Sequence, residues 1–179
     1  MLLNHKNLTI RNATIDDARL LASWWNDGAV MAHAGFPNGT GETPAGIAER
    51  IGTDTDEHRR LIIELAHRPI GEMNYTRHPD QESKKTAEIG IKICDFSEQE
   101  KGYGKIVLSM MISSLFSDFG YQKIILDTNL NNKRAQHVYE TLGFKKLQVR
   151  ENSWRNQLGE LQSSVDYELF PEDFVNYAK

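Results

Sequence analysis

The 179-residue sequence predicts a mixed α/β domain, a sheet with helices on its faces, in the order β-α-α-β-β-β-α-β-α-β-β. Three observations predict it. Residues 61–93 hold three strand-like runs with no helical spacing between them. After residue 104 the pattern changes to alternating helix and strand. No Pro- or Gly-rich linker and no repeat divides the chain, so residues 1–179 read as one domain.

The first strand is the short alternating segment Leu8-Thr9-Ile10-Arg11. Thr14-Ile15-Asp16-Asp17 then reads as a capping box, a hydroxyl followed three residues later by a carboxylate. Ile15, Ala18, Leu21, Ala22 and Trp25 follow at the spacing of one helical face. Residues 35–41, rich in Gly, Pro and Asn, form a loop. Thr43 before Pro44 marks N-cap and first turn of a second short helix that Gly52 stops. Residues 61–66 and 70–75 are strands joined by the tight connection His67-Arg68-Pro69. The polar stretch 78–85 is a loop, and 86–93 is the third strand of this meander.

In the second half, residues 104–119 form a helix with a wide apolar face, Val107, Leu108, Met111, Ile112, Leu115 and Phe119 among it. Ser109, Ser113 and Ser117 mark a narrow polar stripe, and Gly120 ends the helix. Residues 123–126 read as a central buried strand. Asn131 or Asn132 caps the next helix, which carries Ala135, Val138, Tyr139 and Leu142 and ends at Gly143. Residues 144–149 and 164–170 are the last two strands.

Composition excludes several function classes. The chain is 39% hydrophobic and 26% charged, ordinary for a globular domain of a size that buries a full core. Its net charge is −4 and its pI about 5.9, which gives no electrostatic footprint for nucleic acid. One cysteine, Cys94, rules out a disulfide framework or a cysteine-rich zinc site. His33, His58, His67, His78 and His137 are scattered without metal-ligand spacing, so no metal is expected. The N-terminal residues lack a long apolar core and no stretch has membrane-spanning length, which leads us to expect a cytoplasmic protein with no membrane partner.

The strongest chemical signal is Gln99-Glu100-Lys101-Gly102-Tyr103-Gly104, between a strand and an apolar helix. Two glycines at such a turn let backbone N–H groups face a ligand without interference from Cβ. The helix N-terminus adds partial positive charge, so the whole can cradle a pyrophosphate. A dinucleotide fingerprint would need a third small residue where Val107 stands and an early parallel βαβ context. A P-loop would need a hydroxyl after Gly104-Lys105, where Ile106 stands. Read alone, the hexapeptide also fits a loop whose glycines serve only the turn.

Gln99-x-x-Gly102-x-Gly104 resembles the acyl-CoA signature of the GNAT acetyltransferases. The segment from Asn132 to Phe144 resembles the second motif of that family, through Asn132, Arg134, Ala135, Tyr139, Gly143 and Phe144. The resemblance extends over nearly the whole chain. Trp24-Trp25-Asn26-Asp27 and the paired C-terminal strands look like members that acetylate ribosomal-protein N-termini or spermidine.

The resemblance implies a mostly antiparallel twisted GNAT sheet and an acetyl-CoA-dependent N-acetyltransferase working by direct attack in a ternary complex, without metal. It implies that amides of Gly102, Tyr103, Gly104 and Lys105 hold the pyrophosphate, with Gln99 and Lys101 adding donors. The strand end through Ile93 and Cys94 would pair with the pantetheine arm, and Asn132 and Arg134 would contact the cosubstrate. Tyr139 would protonate or stabilise the leaving thiolate. An amine also needs a base; Glu88, and Glu64 or Glu72 on the hairpin, are the candidates, Glu64 and Glu72 also as acceptor contacts.

Trp24, pointing away from the core face that carries Trp25, is the candidate acceptor contact on the first helix. Residues 31–40, with their glycines, are expected to form a mobile substrate loop. Glu42, Glu49, Asp54, Asp56 and Glu57 would suit a cationic acceptor or be solvated surface. Cys94 lies near the expected thioester, but direct attack needs no acyl-enzyme, and a lone cysteine reads as core packing. The acceptor, a protein N-terminus, a polyamine or a small-molecule amine, stays open, as does a homodimer. The rival reading is a CoA-binding GNAT domain that has lost catalysis and acts as a sensor, which retention of Tyr139 opposes.

Overall fold

The computed structural model describes residues 1–79 and 85–179. The described strands are β1 (Leu2–His5), β2 (Leu8–Asn12), β3 (His58–Leu65), β4 (Arg68–His78), β5 (Thr86–Ile93), β6 (Lys123–Asn129), β7 (Lys145–Arg155) and β8 (Leu161–Leu169). They form one sheet in the order β1-β2-β3-β4-β5-β6-β8-β7. Every neighbouring pair is antiparallel except β5 and β6. The helices are α1 (Ala18–Trp25), α2 (Gly28–Met31), α3 (Pro44–Gly52), α4 (Tyr103–Ser117) and α5 (Lys133–Thr141).

β3 shows how the layers are held. Leu61 and Ile63 point into the core shared with α4, while Ile62 points into the smaller core of α1 and α3, and all three are fully buried. A strand covered on both faces reads as a continuous apolar run. Each such side chain contributes roughly 1.5–3 kcal/mol of burial. The Thr14–Asp17 box closes as the sequence predicts: Asp17 accepts from the Thr14 N–H at 2.8 Å. Asp17 also takes Arg11 at 2.7 Å, which fastens the entry of α1 to β2. The second short helix runs from Pro44 to Gly52, capped by the Thr43 hydroxyl on the Gly46 N–H.

Several expectations are corrected. Residues 2–5, unassigned in the sequence reading, form an edge strand paired with β2. Ile15 is 63% exposed because the box residues form a 3-10 turn before α1, which rotates it off the core face. The hairpin turns at Ala66 and His67, both at positive φ as a primed two-residue turn requires, and Arg68 and Pro69 already belong to β4. Residues 28–34, of which 31–34 were expected in a loop, make α2 and a 3-10 turn. The serine stripe on α4 is not solvated throughout: Ser109 is fully buried and its hydroxyl accepts from the Tyr177 N–H at 3.1 Å. Strands β6, β7 and β8 all run longer than their apolar runs suggest. Of the polar loop expected at 78–85, residues 80–84 lie outside the described residues.

Candidate functional site

The functional geometry starts where the parallel pair parts. β5 and β6 pair only from Thr86–Lys123 to Glu88–Ile125. Beyond that point a cleft of about 1470 Å³ opens between Ile89–Ile93 and residues 127–129. On β5, Ile89, Ile91 and Ile93 pack toward the α4 core. The alternate residues Gly90 and Lys92 point to the opposite face of the sheet, and both sets line the cleft. The opening therefore runs through the sheet, from the N-terminus of α4 to the face that carries α2.

At the α4 end, Gly102 is the N-cap with φ 84, a left-handed conformation that favours glycine. An ideal Cβ on Gly102 or Gly104 would meet no atom beyond its own neighbours and helix backbone within 4 Å, and both residues line the cleft. Gly104 itself sits in the helix without positive φ; its contribution is room, not backbone freedom. Ile106 donates to the Gly102 carbonyl, leaving the Tyr103, Gly104 and Lys105 amides as the first-turn donors that no preceding helical carbonyl can take. This is a cradle for a phosphate, with room where side chains would stand.

The strand end is more selective than the sequence suggests. Cys94 and Asp95 both donate their N–H groups to the Ile70 carbonyl of β4, at 2.9 and 3.0 Å. By strand alternation Ile91 and Ile93 turn their backbone groups to the cleft instead. An extended arm would therefore pair with Ile91 and Ile93 and not with Cys94. The Cys94 thiol is buried outside the cleft lining, and burial pushes its pKa up, so it stays protonated. Gln99 is occupied: its amide donates to the Ile93 carbonyl at 2.8 Å and accepts from Arg134 at 2.8 Å, tying β5 to α5. Lys101 is not among the cleft-lining residues; its ammonium is paired at 2.8 Å with Glu98, which is. Asn132 caps α5 through the Ala135 N–H at 3.2 Å and also lines the cleft.

Tyr139 reaches the same cleft from α5. Its ring packs against Phe144 and Tyr167, with centroids 5.7 and 5.9 Å away. Among the described residues nothing hydrogen-bonds to its hydroxyl. Burial, with the Asp127 charge adding to it, pushes its pKa up to about 12, so the phenol is protonated at neutral pH.

The opposite mouth holds residues that the sequence reading missed. Asp127 lies near the C-terminal end of β6 with about half of its side chain exposed, and partial desolvation shifts its pKa up from the ordinary carboxylate value. Arg150 of β7 approaches it at 3.6 Å but makes its shorter contact, 2.7 Å, with Asp166. Val30, His33 and Trp154 also line this mouth. The available signal was the position of Asp127 just past an apolar strand, where ligands of parallel strand pairs gather.

The expected acceptor contacts lie elsewhere. Glu64 accepts from Arg11 at 2.7 Å, under the start of α1. Glu72 is buried and takes the Trp25 indole N–H at 2.8 Å and Lys92 at 3.3 Å. Glu88 is exposed and, like Glu64, Glu72 and Trp24, does not line the cleft. Trp24 packs against the α1–α3 core. Four of the acidic residues proposed for a cation are ion-paired: Glu42 with Arg50, Asp54 with Arg60, Asp56 with Arg59, and Glu57 with Arg77. The segment expected to be mobile is fastened instead. Asn38 donates to Gln157 at 2.9 Å, and Gln157 donates back to the Gly35 and Gly39 carbonyls.

Among the described residues no group of three His, Cys, Asp or Glu is placed to hold a metal ion, and no helix is long and apolar enough to cross a membrane. No curated protein sequence matches the chain. Solved structures with the same fold include a spermidine N-acetyltransferase from Vibrio cholerae in complex with CoA and spermine. It is 21% identical with a TM-score of 0.82, over 95% of this chain and 99% of that one. A ribosomal-protein-S5-alanine acetyltransferase from Vibrio fischeri is 16% identical with a TM-score of 0.76, over 98% and 99%. A GNAT-family acetyltransferase from Streptococcus pneumoniae is 18% identical with a TM-score of 0.77, over 91% and 99%. The profile described as the acetyltransferase (GNAT) domain matches residues 7–145. With the open glycine cradle on α4 and the sheet parted at β5 and β6, this makes the chain a member of the GNAT acetyltransferase family, an N-acetyltransferase that uses acetyl-CoA.

Proposed function

We propose that the chain acetylates a primary amine by direct attack, with acetyl-CoA and amine bound together in the cleft through the sheet. The observation that carries this reading is the meeting of the α4 amides, the unpartnered Tyr139 hydroxyl and Asp127 along that one cleft. The thioester supplies an activated acyl carbon; the protein's own groups do the rest. Gly102 and Gly104 leave room for phosphates beside the first-turn amides of α4, and Ile91 and Ile93 offer a strand edge to the arm.

Asp127 attracts the cationic acceptor and takes the proton that an ammonium must lose before its lone pair can attack. A C–N bond then forms as the C–S bond breaks, and the electron pair leaves on sulfur. Tyr139 donates a hydrogen bond to that sulfur. Full proton transfer from a phenol near 12 to a thiolate of ordinary pKa ~8.5 is uphill, so the phenol stabilises the leaving group by hydrogen bonding. The nitrogen loses a second proton as the amide forms; that proton converts the thiolate to the CoA thiol, and the one held by Asp127 passes to solvent.

Acceptor classes favoured by the fold neighbours are a polyamine and a protein N-terminus. The test is a panel of spermidine, a peptide with N-terminal alanine, an aminoglycoside and free amino acids, followed by release of CoA thiol. Acetyl-CoA-dependent thiol release with at least one primary amine, and acetylamide in the product, is expected. Tight CoA binding with no turnover of any panel member would overturn the amine reading.

A further inference from the structure

Lys105 is an anomaly in the helix that begins the cradle. It is the third residue of α4, within the first turn, where the helix dipole disfavours a cation. No carboxylate compensates it: its one contact among the described residues is the ring of Tyr177, with the ammonium 3.9 Å from the centroid. A neighbouring lysine, Lys101, is paired with Glu98. Lys105 thus carries a positive charge with no carboxylate partner from a residue that lines the cleft, its ammonium resting on a ring beside that lining.

The ring that holds it is itself held. Residues 171–179 cross the outer side of α4 and α5. Phe174 packs on Phe116 with centroids 6.0 Å apart, Val175 donates to the Leu142 carbonyl at 3.0 Å, and Tyr177 donates its N–H to the buried Ser109 hydroxyl at 3.1 Å. Ser109 lies four residues after Lys105, on the same helical face. Its burial among apolar neighbours, unexplained by the sequence pattern, follows from this anchoring.

We propose that Tyr177 is a positioning residue for acetyl-CoA: the strap anchored on Ser109 holds its ring behind Lys105, and the ring orders the Lys105 ammonium to contact a phosphate of the cosubstrate. A flexible lysine loses rotamer freedom when it binds a phosphate, and a cation–π contact made in advance reduces that loss. A carboxylate in the same place would order the lysine but cancel its charge, whereas a ring does not. The inference rests on the acetyl-CoA use of the family and is independent of the acceptor.

The experiment measures CoA binding by calorimetry, without turnover, for the wild type, Tyr177→Leu, Tyr177→Phe, Lys105→Gln and the Lys105→Gln/Tyr177→Leu double variant. Lys105→Gln should weaken binding about tenfold, the scale of one charge-assisted phosphate contact. Tyr177→Leu should weaken it about two- to fivefold, the scale of a partly exposed cation–π contact. Tyr177→Phe, which keeps the ring, should restore wild-type affinity. In the Lys105→Gln background Tyr177→Leu should add no further loss, since the two side chains act as one unit. Repeating the series with 3′-dephospho-CoA locates the contact: a Lys105→Gln loss that persists assigns it to the pyrophosphate, and one that vanishes assigns it to the 3′-phosphate. An equal loss from Tyr177→Leu in both backgrounds would make the strap a packing element only. Wild-type affinity in Lys105→Gln would likewise overturn the proposal.

Discussion

At the α4 end of the cleft, Cβ atoms added to Gly102 and Gly104 would stand in open space. At the other mouth, Cβ atoms on Gly28, Gly35 and Gly39 would lie 1.9 Å from the Pro37 carbonyl, 2.5 Å from the Trp154 ring and 2.4 Å from the Asn26 carbonyl. The same residue type serves two ends. On one side it leaves room for a ligand; on the other it lets the chain pack on itself. The cosubstrate end is consequently built from short local segments, 99–105 and 132–139. The opposite mouth is assembled from residues 30, 33, 127, 150 and 154, brought together by long-range packing.

The sharpest way to break the comparison is at Tyr139, which both ends share. Tyr139→Phe should lower kcat on the order of a hundredfold, the scale for losing one hydrogen-bond donor to developing negative charge, while CoA affinity measured by calorimetry stays within about twofold. The ring still packs on Phe144 and Tyr167, so the fold is retained. Unchanged kcat would leave Tyr139 a packing residue.

Substitutions at the two kinds of glycine should then separate. Gly39→Ala places a Cβ against a backbone carbonyl at φ 76, and should cost roughly 2 kcal/mol or more in denaturant unfolding. Gly104→Val should leave the unfolding midpoint near that of the wild type and weaken CoA binding by about tenfold or more, because the new side chain fills ligand space only. Equal losses of stability at the two positions would remove the distinction.

Asp127→Asn sharpens it further through pH. Partial desolvation raises the folded-state pKa of the half-exposed Asp127, with Arg150 opposing and Asp166 adding, so the effect on stability is small. The ionised carboxylate is therefore held at a cost above its folded pKa, and that cost vanishes below the unfolded value of about 3.9. The Asn variant should melt slightly higher than wild type at pH 7–8, and the advantage should fade as pH falls toward about 4. Its kcat/KM for a cationic amine should drop about tenfold. A lower melting temperature at pH 8 would show that the Arg150 pairing, not acceptor chemistry, explains the carboxylate.

The smallest effect is expected at Cys94. Its thiol is buried outside the cleft and its N–H is taken by β4, so Cys94→Ala should keep turnover within a few-fold of wild type. An acetylated Cys94 detected by mass spectrometry during turnover would replace direct attack with a covalent route.

The amino-acid sequence by itself determined the layered α/β architecture and the cosubstrate end of the cleft, because both rest on short-range chemistry. Apolar spacing marked α1 and α5, cap and stop residues marked α3, and the Thr14 and Thr43 caps, with the cap at Asn131 or Asn132, were legible because a cap bonds within three residues of itself. Gly102 and Gly104 were legible because helix start and glycine spacing are local. Only the tertiary structure decided which carboxylates line the cleft. Glu64, Glu72 and Glu88 have the right type on the right strands, yet Arg11 and Trp25 hold the first two and the third lies exposed outside the cleft. Asp127 faces the cleft because β5 and β6 part after three paired residues, a separation no alternation pattern encodes. The burial of Ser109 and the place of Tyr177 depend in the same way on a contact spanning 68 residues. Such contacts form only when distant segments are packed, and their energy is set by the neighbours they meet there and not by their place in the chain.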